Sequence, residues 1–349
     1  MFLDFDLPED LIAQHPVEPR DRSRLIVVDR EAGTIEHRTF ADLPELLDSG
    51  DVLVRNDTRV VPARLLGRRE STGGRWEGLF LRECADSSGS WEILAQTRGR
   101  PRVGERVIVG EGLVLSLESR GETGCWIVRP VAEGSRAVNA GESALALLER
   151  HGQTPLPPYI RGGREFSGDR GSYQTVYARR PGSAAAPTAG LHFTDELLGR
   201  LAARGVAFVD VTLHVGPGTF RPITAERIED HVMHAEWAEL TASAVDVLND
   251  RRRQGGRIVA VGTTSARTLE TAALDGGLRP FTGETRLFIR PGHAFRGLDA
   301  LVTNFHLPRS SLLVLVAALA GEGLIRAAYE EAIRERYRFF SYGDAMLIV

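Results

Sequence analysis

Six of the nine histidines (His192, His214, His231, His234, His293 and His306) fall in the last 160 residues, four of them within two residues of a Gly, Pro or Thr. An imidazole in a small-residue loop can meet a ligand and move a proton near neutral pH. Pro187-Thr-Ala-Gly-Leu-His192-Phe-Thr and His214-Val-Gly-Pro-Gly-Thr219-Phe each set one imidazole among residues that let a ligand approach the backbone. Thr303-Asn304-Phe-His306-Leu-Pro308 repeats the pattern at the end of an expected strand. In His231-Val-Met-His234-Ala-Glu236 two imidazoles stand at i, i+3 with a carboxylate two further on, which on a helix would begin a metal site. A metal needs more ligands than these, so no metal is expected, and Glu236 reads better as an acid or base beside imidazoles.

Two further clusters follow predicted strands. Asn56-Asp57-Thr58-Arg59 occupies the position where open α/β sheets place ligand-binding groups, although an Asx-turn accounts for Asp57 as well. Gly262-Thr263-Thr264-Ser-Ala-Arg267 runs from strand through a small-residue turn into a helix expected from Ser265. Its free amides, with Arg267 one turn in, suit an anionic group, and an ordinary capped helix start is the alternative. Arg98-Gly-Arg100-Pro-Arg102 is a basic cluster suited to a polyanion, and so is Arg251-Arg-Arg253, which a helix C-terminus also explains. Arg338-Phe-Phe-Ser-Tyr342-Gly-Asp344 reads as a last strand and turn or as a base-stacking surface.

The elements that must position these groups fall into two textures. Residues 24–28 and 51–55 read as strands, and between about 63 and 131 short β-like runs (91–95, 105–109, 113–117, 125–129) alternate with Gly-rich turns, as in a small barrel. After a helical stretch at 142–150 and the stiff Pro155-Leu-Pro-Pro-Tyr159, helices and strands alternate. Thr194 and Thr241 cap helices, residues 206–215 and 257–261 read as strands, and helices near 310–320 and 324–336 precede a final strand. The expected class is α+β: a large α/β domain from both chain ends (residues 1–62 and 151–349) around an inserted small all-β barrel-like domain (63–150).

Composition narrows the chemistry. The 349 residues include 43 cationic side chains, all arginine, so a lysine Schiff base and a P-loop lysine are excluded. The net charge of −4 excludes a simple polybasic binder but not a localised positive face. Two cysteines outside any CxxC spacing point away from redox chemistry. An acidic start and no apolar stretch of spanning length lead to an expected cytoplasmic location.

Taken together, the loops resemble the S-adenosylmethionine:tRNA ribosyltransferase-isomerases of queuosine biosynthesis. The resemblance rests on Asp4-Phe-Asp-Leu-Pro-Glu9, the run from Gly50 through Asn56-Asp57-Thr58-Arg59 to Arg64, Pro155-Leu-Pro-Pro-Tyr-Ile160, and Tyr173-Gln-Thr-Val-Tyr177. It continues through Ala185 to Phe193, Thr212-Leu-His-Val-Gly216, His231 to Glu236, Gly262-Thr-Thr264, Thr303 to Pro308 and Tyr337 to Met346. It implies transfer and isomerisation of the ribosyl part of S-adenosylmethionine onto 7-aminomethyl-7-deazaguanine at the tRNA wobble position. Epoxyqueuosine would form, and adenine and methionine would leave. S-adenosylmethionine is then a co-substrate, no prosthetic group is needed, tRNA is the partner, no membrane is involved, and a monomer is expected. On this reading His192, His214, Glu236, His306 and Asp57 serve proton transfer. Arg59, Gly262, Thr263, Thr264, Arg267 and Asn304 orient substrate, and Arg98, Arg100 and Arg102 meet tRNA. The competing classes are a non-catalytic RNA-binding protein and, third, a metal-dependent hydrolase using His231, His234 and Glu236.

Overall fold

Period-two patterning over short runs builds the strands that frame the chain. The computed structural model describes residues 4–84, 89–121, 124–131, 142–216, 223, 225 and 227–349. Its strands begin with β1 (Arg24–Asp29), β2 (Thr34–Thr39), β3 (Val52–Asn56), β4 (Thr58–Val60), β5 (Arg64–Arg69) and β6 (Arg75–Glu83). Next come β7 (Trp91–Thr97), β8 (Arg106–Gly110), β9 (Leu113–Arg120), β10 (Cys125–Val131), β11 (Arg180–Ser183) and β12 (Ala207–Leu213). The last are β13 (Glu236–Leu240), β14 (Ile258–Val261), β15 (Phe281–Thr285), β16 (Ala300–Asn304) and β17 (Ala345–Ile348). The helices are α1 (Leu43–Leu46), α2 (Ala144–His151), α3 (Asp169–Ser172), α4 (Asp195–Ala203), α5 (Ala242–Arg253), α6 (Gly262–Ala272), α7 (Ser311–Ala320) and α8 (Glu322–Arg334).

Backbone contacts divide the chain into two units, Met1–Arg59 with Pro157–Gly162 and Gly171–Val349, and Val60–Leu156 with Gly163–Arg170. The first holds a nine-stranded mixed sheet in the order β15-β13-β12-β3-β14-β16-β17-β1-β2. β12, β3, β14 and β16 are parallel, while β17 runs antiparallel to β16 and parallel to β1. The carboxyl ends of the four parallel strands therefore share one edge with the starts of β17 and β1, and that edge is where an open α/β sheet offers a site.

Both faces of this sheet are covered, so alternate residues enter different cores. Val52, Val54, Ile258 and Ala260 join one cluster with α5 to α8, through Leu248, Leu269, Leu313 and Tyr329. Leu53, Val259 and Val261 join the other, with Leu197 and Leu201 of α4 and with Phe40. The second unit is a closed antiparallel barrel, β10-β7-β6-β5-β8-β9, filled by Trp76, Trp91, Trp126, Ile93 and Leu115 and plugged by Leu147 and Leu148 of α2. The architecture is thus the expected one, a large mixed α/β part made from both chain ends with an inserted six-stranded barrel.

Several local expectations are corrected. α6 starts at Gly262, three residues before Ser265. Gly262 sits at φ +86°, a left-handed turn residue that lets β14 pass straight into the helix. The Thr268 hydroxyl bonds the Thr264 carbonyl and Ser265 bonds Val261, which seats these hydroxyls inside a buried helix. The segment carrying His231, His234 and Glu236 is not helical. Residues 231–235 belong to no helix or strand and Glu236 opens β13, paired with β15, so the i, i+3 spacing does not set the imidazoles on one helical face. β2, β5, β6, β13 and β15 are additional strands that Arg, Glu, Gly and Thr on their exposed faces hide from a hydrophobicity reading. Among the described residues no single helix is long and apolar enough to cross a membrane. α7 and α8 satisfy that test only jointly, across a 117° bend.

Candidate functional site

The carboxyl edge holds a cleft with about 370 Å³ of atom-free space, lined by residues 186–189, Val215, Gly262, Thr263, Thr264, Thr303, Asn304, His306 and Leu312. The first turn of α6 forms part of its wall, and no side chain caps that end. Its leading amides and the positive end of the helix dipole therefore favour an electronegative ligand atom.

His306 and Asn304 leave β16 at the same edge. The His306 Nε2 lies 2.8 Å from the Thr303 hydroxyl and its backbone N–H donates to the Tyr329 hydroxyl, while Nδ1 has no protein partner among the described residues. Asn304 Nδ2 donates to the Phe340 carbonyl (3.1 Å) and to His192 Nε2 (3.1 Å), and its Oδ1 accepts from Thr188 (2.8 Å). The Phe340 carbonyl can only accept, so it fixes the amide orientation, and His192 Nε2 must be the unprotonated nitrogen. Its Nδ1–H then donates to the Ser23 hydroxyl at 2.8 Å, and the ring stacks on Phe40. A buried chain of hydrogen bonds thus runs Thr188–Asn304–His192–Ser23.

Burial pulls the pKa of His306 from 6.5 to about 3. His192 also falls to about 3, by burial and then by the charges of Arg338 and Arg20. Both rings are uncharged at neutral pH. The unfolded chain takes up protons on these imidazoles below about pH 6.5 and the folded chain does not, so their contribution to stability is full above that pH and is lost toward pH 3. Urea midpoints measured from pH 7 down to 4.5 should fall, and His306→Gln should flatten the slope by up to about 1.4 kcal/mol per pH unit. An unchanged slope would mean that His306 already binds a proton in the fold.

A second cluster forms where β3 meets β12. Asn56 is fully buried and staples the edge, donating to the Leu213 carbonyl (2.9 Å) and to Thr264 Oγ1 (3.2 Å) while accepting from the Leu213 and Thr58 amides. Asp57 accepts from the Thr212 hydroxyl (2.6 Å) and from Arg179 (2.8 Å), and its own carbonyl accepts the Arg179 and Arg180 amides. The Asx-turn of this motif is made by Asn56, which takes the Thr58 amide, while the Asp57 carboxylate is a cross-strand anchor. His214 Nδ1 lies 2.8 Å from the Thr58 hydroxyl, and its ring stacks on Trp237. A Cβ at Gly182 would come within 2.9 Å of that ring, so only glycine lets β11 pass there. Burial, then Arg180, lowers the His214 pKa. Arg59 lies in β4, half-buried. The rest of the His214 loop motif, Pro217 to Phe220, lies outside the described residues.

Glu236 and Arg267 form a third element, an ion pair in which both side chains are almost wholly buried. Glu236 also accepts the Gly216 amide at 3.0 Å, and Arg267 Nε donates to the Leu287 carbonyl. The carboxylate therefore meets a guanidinium rather than the imidazoles expected beside it. His231 instead packs edge-on to Phe288, and among the described residues no group of three or more His, Cys, Asp or Glu is arranged to hold a metal.

The structure brings Gly262, Thr263, Thr264, Asn304 and His306 around one cleft and ties His192 to it. Asp57 and His214 stand in the neighbouring cluster, linked to it through Asn56 and Thr264. Arg98, Arg100 and Arg102 are exposed on the barrel unit. Thr188 and Thr303 lay within motifs that already stood out but were not singled out as partners. Ser23 carried no sequence signal, since it meets His192 from 169 positions away.

A mixed sheet with a polar cleft at its parallel carboxyl edge, walled by a helix start, places the protein in the α/β class, whose ligands are taken at the strand ends. The family model of queuosine biosynthesis proteins matches residues 2–348, and the chain belongs to that family. It is 55% identical over 349 residues, covering 99% of this chain and 98% of the relative, to the S-adenosylmethionine:tRNA ribosyltransferase-isomerase of Symbiobacterium thermophilum. Its identity to the protein of the same name from Anaeromyxobacter dehalogenans is 53% over 347 residues, covering 99% and 98%. The crystal structure of S-adenosylmethionine tRNA ribosyltransferase from Thermotoga maritima is 39% identical over 100% of both chains, with a TM-score of 0.56.

Proposed function

We infer that this chain is an S-adenosylmethionine:tRNA ribosyltransferase-isomerase. It moves the ribosyl part of S-adenosylmethionine onto 7-aminomethyl-7-deazaguanine in the tRNA wobble position, forming epoxyqueuosine and releasing adenine and methionine. The carrying observation is that Gly262, Thr263, Thr264, Asn304 and His306 gather in one cleft of a chain that is 55% identical over its length to a protein of that name. The substrate supplies its own activation. A positive sulfur acidifies the adjacent 5′ carbon and later leaves as a neutral thioether, so the protein must provide a base near that carbon, an acid near adenine and a base for the incoming amine.

His306, uncharged at neutral pH and the one titratable side chain lining the cleft among the described residues, is the group assigned here to exchange a proton with a bound ligand. Asn304 and the amides of the α6 turn orient polar groups there, and His192 holds Asn304. His214 and Asp57, with Arg59, serve the neighbouring cluster. Glu236 and Arg267 hold one another, so in this proposal they position Gly216, in the loop after β12, rather than exchange protons with substrate. No prosthetic group is required, S-adenosylmethionine being consumed as co-substrate. A tRNA substrate fits a cytoplasmic enzyme, and we expect a monomer. Adenine release from S-adenosylmethionine in the presence of pre-modified tRNA tests the activity. If single substitutions at His192, His214, Asp57, Glu236 and His306 all leave turnover near normal, the site is misplaced.

The tRNA face is proposed on the exposed Arg98, Arg100 and Arg102. Replacing all three by Gln should weaken tRNA binding and lower the slope of log affinity against log salt by about 1 for each phosphate no longer neutralised. Unchanged affinity and slope would move the RNA face elsewhere.

A further inference from the structure

A second, open pocket lies beside His192, walled by Arg20, Ser23, His192, Arg338 and Tyr342 among others. It lies at the starts of β1 and β17, on the sheet edge that also carries the main cleft. The Thr188–Asn304–His192–Ser23 chain connects the two, since Thr188 and Asn304 line the first pocket while His192 and Ser23 line the second.

The charge of this pocket is positive and incompletely answered. Arg20 donates to two backbone carbonyls, Gln174 at 2.6 Å and Gly171 at 2.9 Å. Among the described residues no carboxylate lies within ion-pairing distance of it, and its nearest acidic influences are the longer-range ones of Tyr342 and Glu18. Arg338 leans toward Asp344 at 3.6 Å, but Asp344 is already engaged by the Arg24 and Arg338 amides, and the buried Arg338 Nη2 makes no hydrogen bond. His192 is uncharged and adds no cation. A guanidinium held partly out of water by carbonyls alone, beside a second with an unsatisfied N–H, is a recognition arrangement for oxygen anions.

We propose that this pocket is a subsite for an anionic oxygen group of a substrate, a carboxylate or a phosphate, with Arg20 as its fixed cation and Arg338 as its second donor. The inference rests on the function proposed above, whose substrates supply both chemistries: the carboxylate of S-adenosylmethionine and the phosphodiesters of tRNA. A group anchored beside Ser23 and His192 would be held one hydrogen-bond chain away from Asn304.

The test compares wild type, Arg20→Gln and Arg338→Gln by calorimetric titration with S-adenosylmethionine and with its decarboxylated analogue, and by anisotropy titration with tRNA. If the carboxylate binds here, Arg20→Gln weakens S-adenosylmethionine by about tenfold, the analogue binds wild type more weakly by a similar factor, and the analogue is indifferent to the substitution. If a phosphate binds here, tRNA affinity falls by about tenfold with a shallower salt slope, and S-adenosylmethionine is unaffected. Arg338→Gln, at a half-exposed position, should act in the same direction and decides the matter if Arg20→Gln does not fold. All affinities within twofold of wild type in the folded variants would overturn the subsite. Failure of wild type to release adenine with both substrates would instead overturn the functional reading.

Discussion

Glu236→Ala is expected to destabilise the protein by about 3–5 kcal/mol, read as a lowered urea midpoint with unchanged slope. Removing the carboxylate leaves the Arg267 guanidinium on α6 almost wholly out of water, with the Leu287 carbonyl as its remaining acceptor among the described residues. It also deprives the Gly216 amide of its acceptor. Breaking a buried pair costs far more than replacing it, because the penalty is that of an uncompensated charge rather than of a missing attraction. The double substitution Glu236→Leu with Arg267→Met should therefore recover most of the loss, a coupling that a double-mutant cycle measures directly. A single-mutant loss below about 1 kcal/mol would show that water or a rearranged acceptor reaches Arg267.

His306→Leu should act on chemistry instead. With Nε2 tied to Thr303 and Nδ1 without a protein partner among the described residues, this imidazole is the one titratable side chain lining the cleft. Its removal should slow single-turnover adenine release by about 10²- to 10⁴-fold, the usual worth of one positioned acid or base. Leu retains the packing volume, and the ring's hydrogen bond to Thr303 is worth about 1 kcal/mol, so thermal stability and S-adenosylmethionine affinity should move little. Asn304→Leu is the informative companion. It strands the Phe340 carbonyl and the His192 ring nitrogen together, so its effect on rate should not add to that of His306→Leu if both serve one ligand. A His306→Leu rate within a few-fold of wild type would remove His306 from the reaction.

What could be read from the sequence was whatever depends on neighbours in the chain. The strand-then-small-residue junctions at Asn56, Gly262 and Asn304 marked the carboxyl edge correctly, because such turns are written locally. The alternation of β7 to β10 announced a barrel for the same reason. The i, i+3 spacing of the histidine pair before Glu236 would serve a metal only on a helix, and the pair lies in irregular chain just ahead of β13, where Trp237-Ala-Glu-Leu240 already alternates with period two. Other failures involve distant partners. Glu236 takes Arg267 rather than an imidazole because the sheet carries it to the side of α6, 31 residues onward. Nothing near Ser23 announced that it would accept a hydrogen bond from His192, and Arg20 and Arg338 became neighbours only when β17 settled beside β1.

That placement of β17 has a consequence for how the protein is made. β1 leaves the ribosome early, but its parallel neighbour, Ala345–Ile348, is translated more than three hundred codons later, and until then the inner edge of β1 stays open. The barrel strands, by contrast, close among themselves within one contiguous stretch from Arg64 to Val131. Vectorial synthesis should therefore release a finished barrel while the early strands of the main sheet wait on chaperones or on the β1–β2 hairpin.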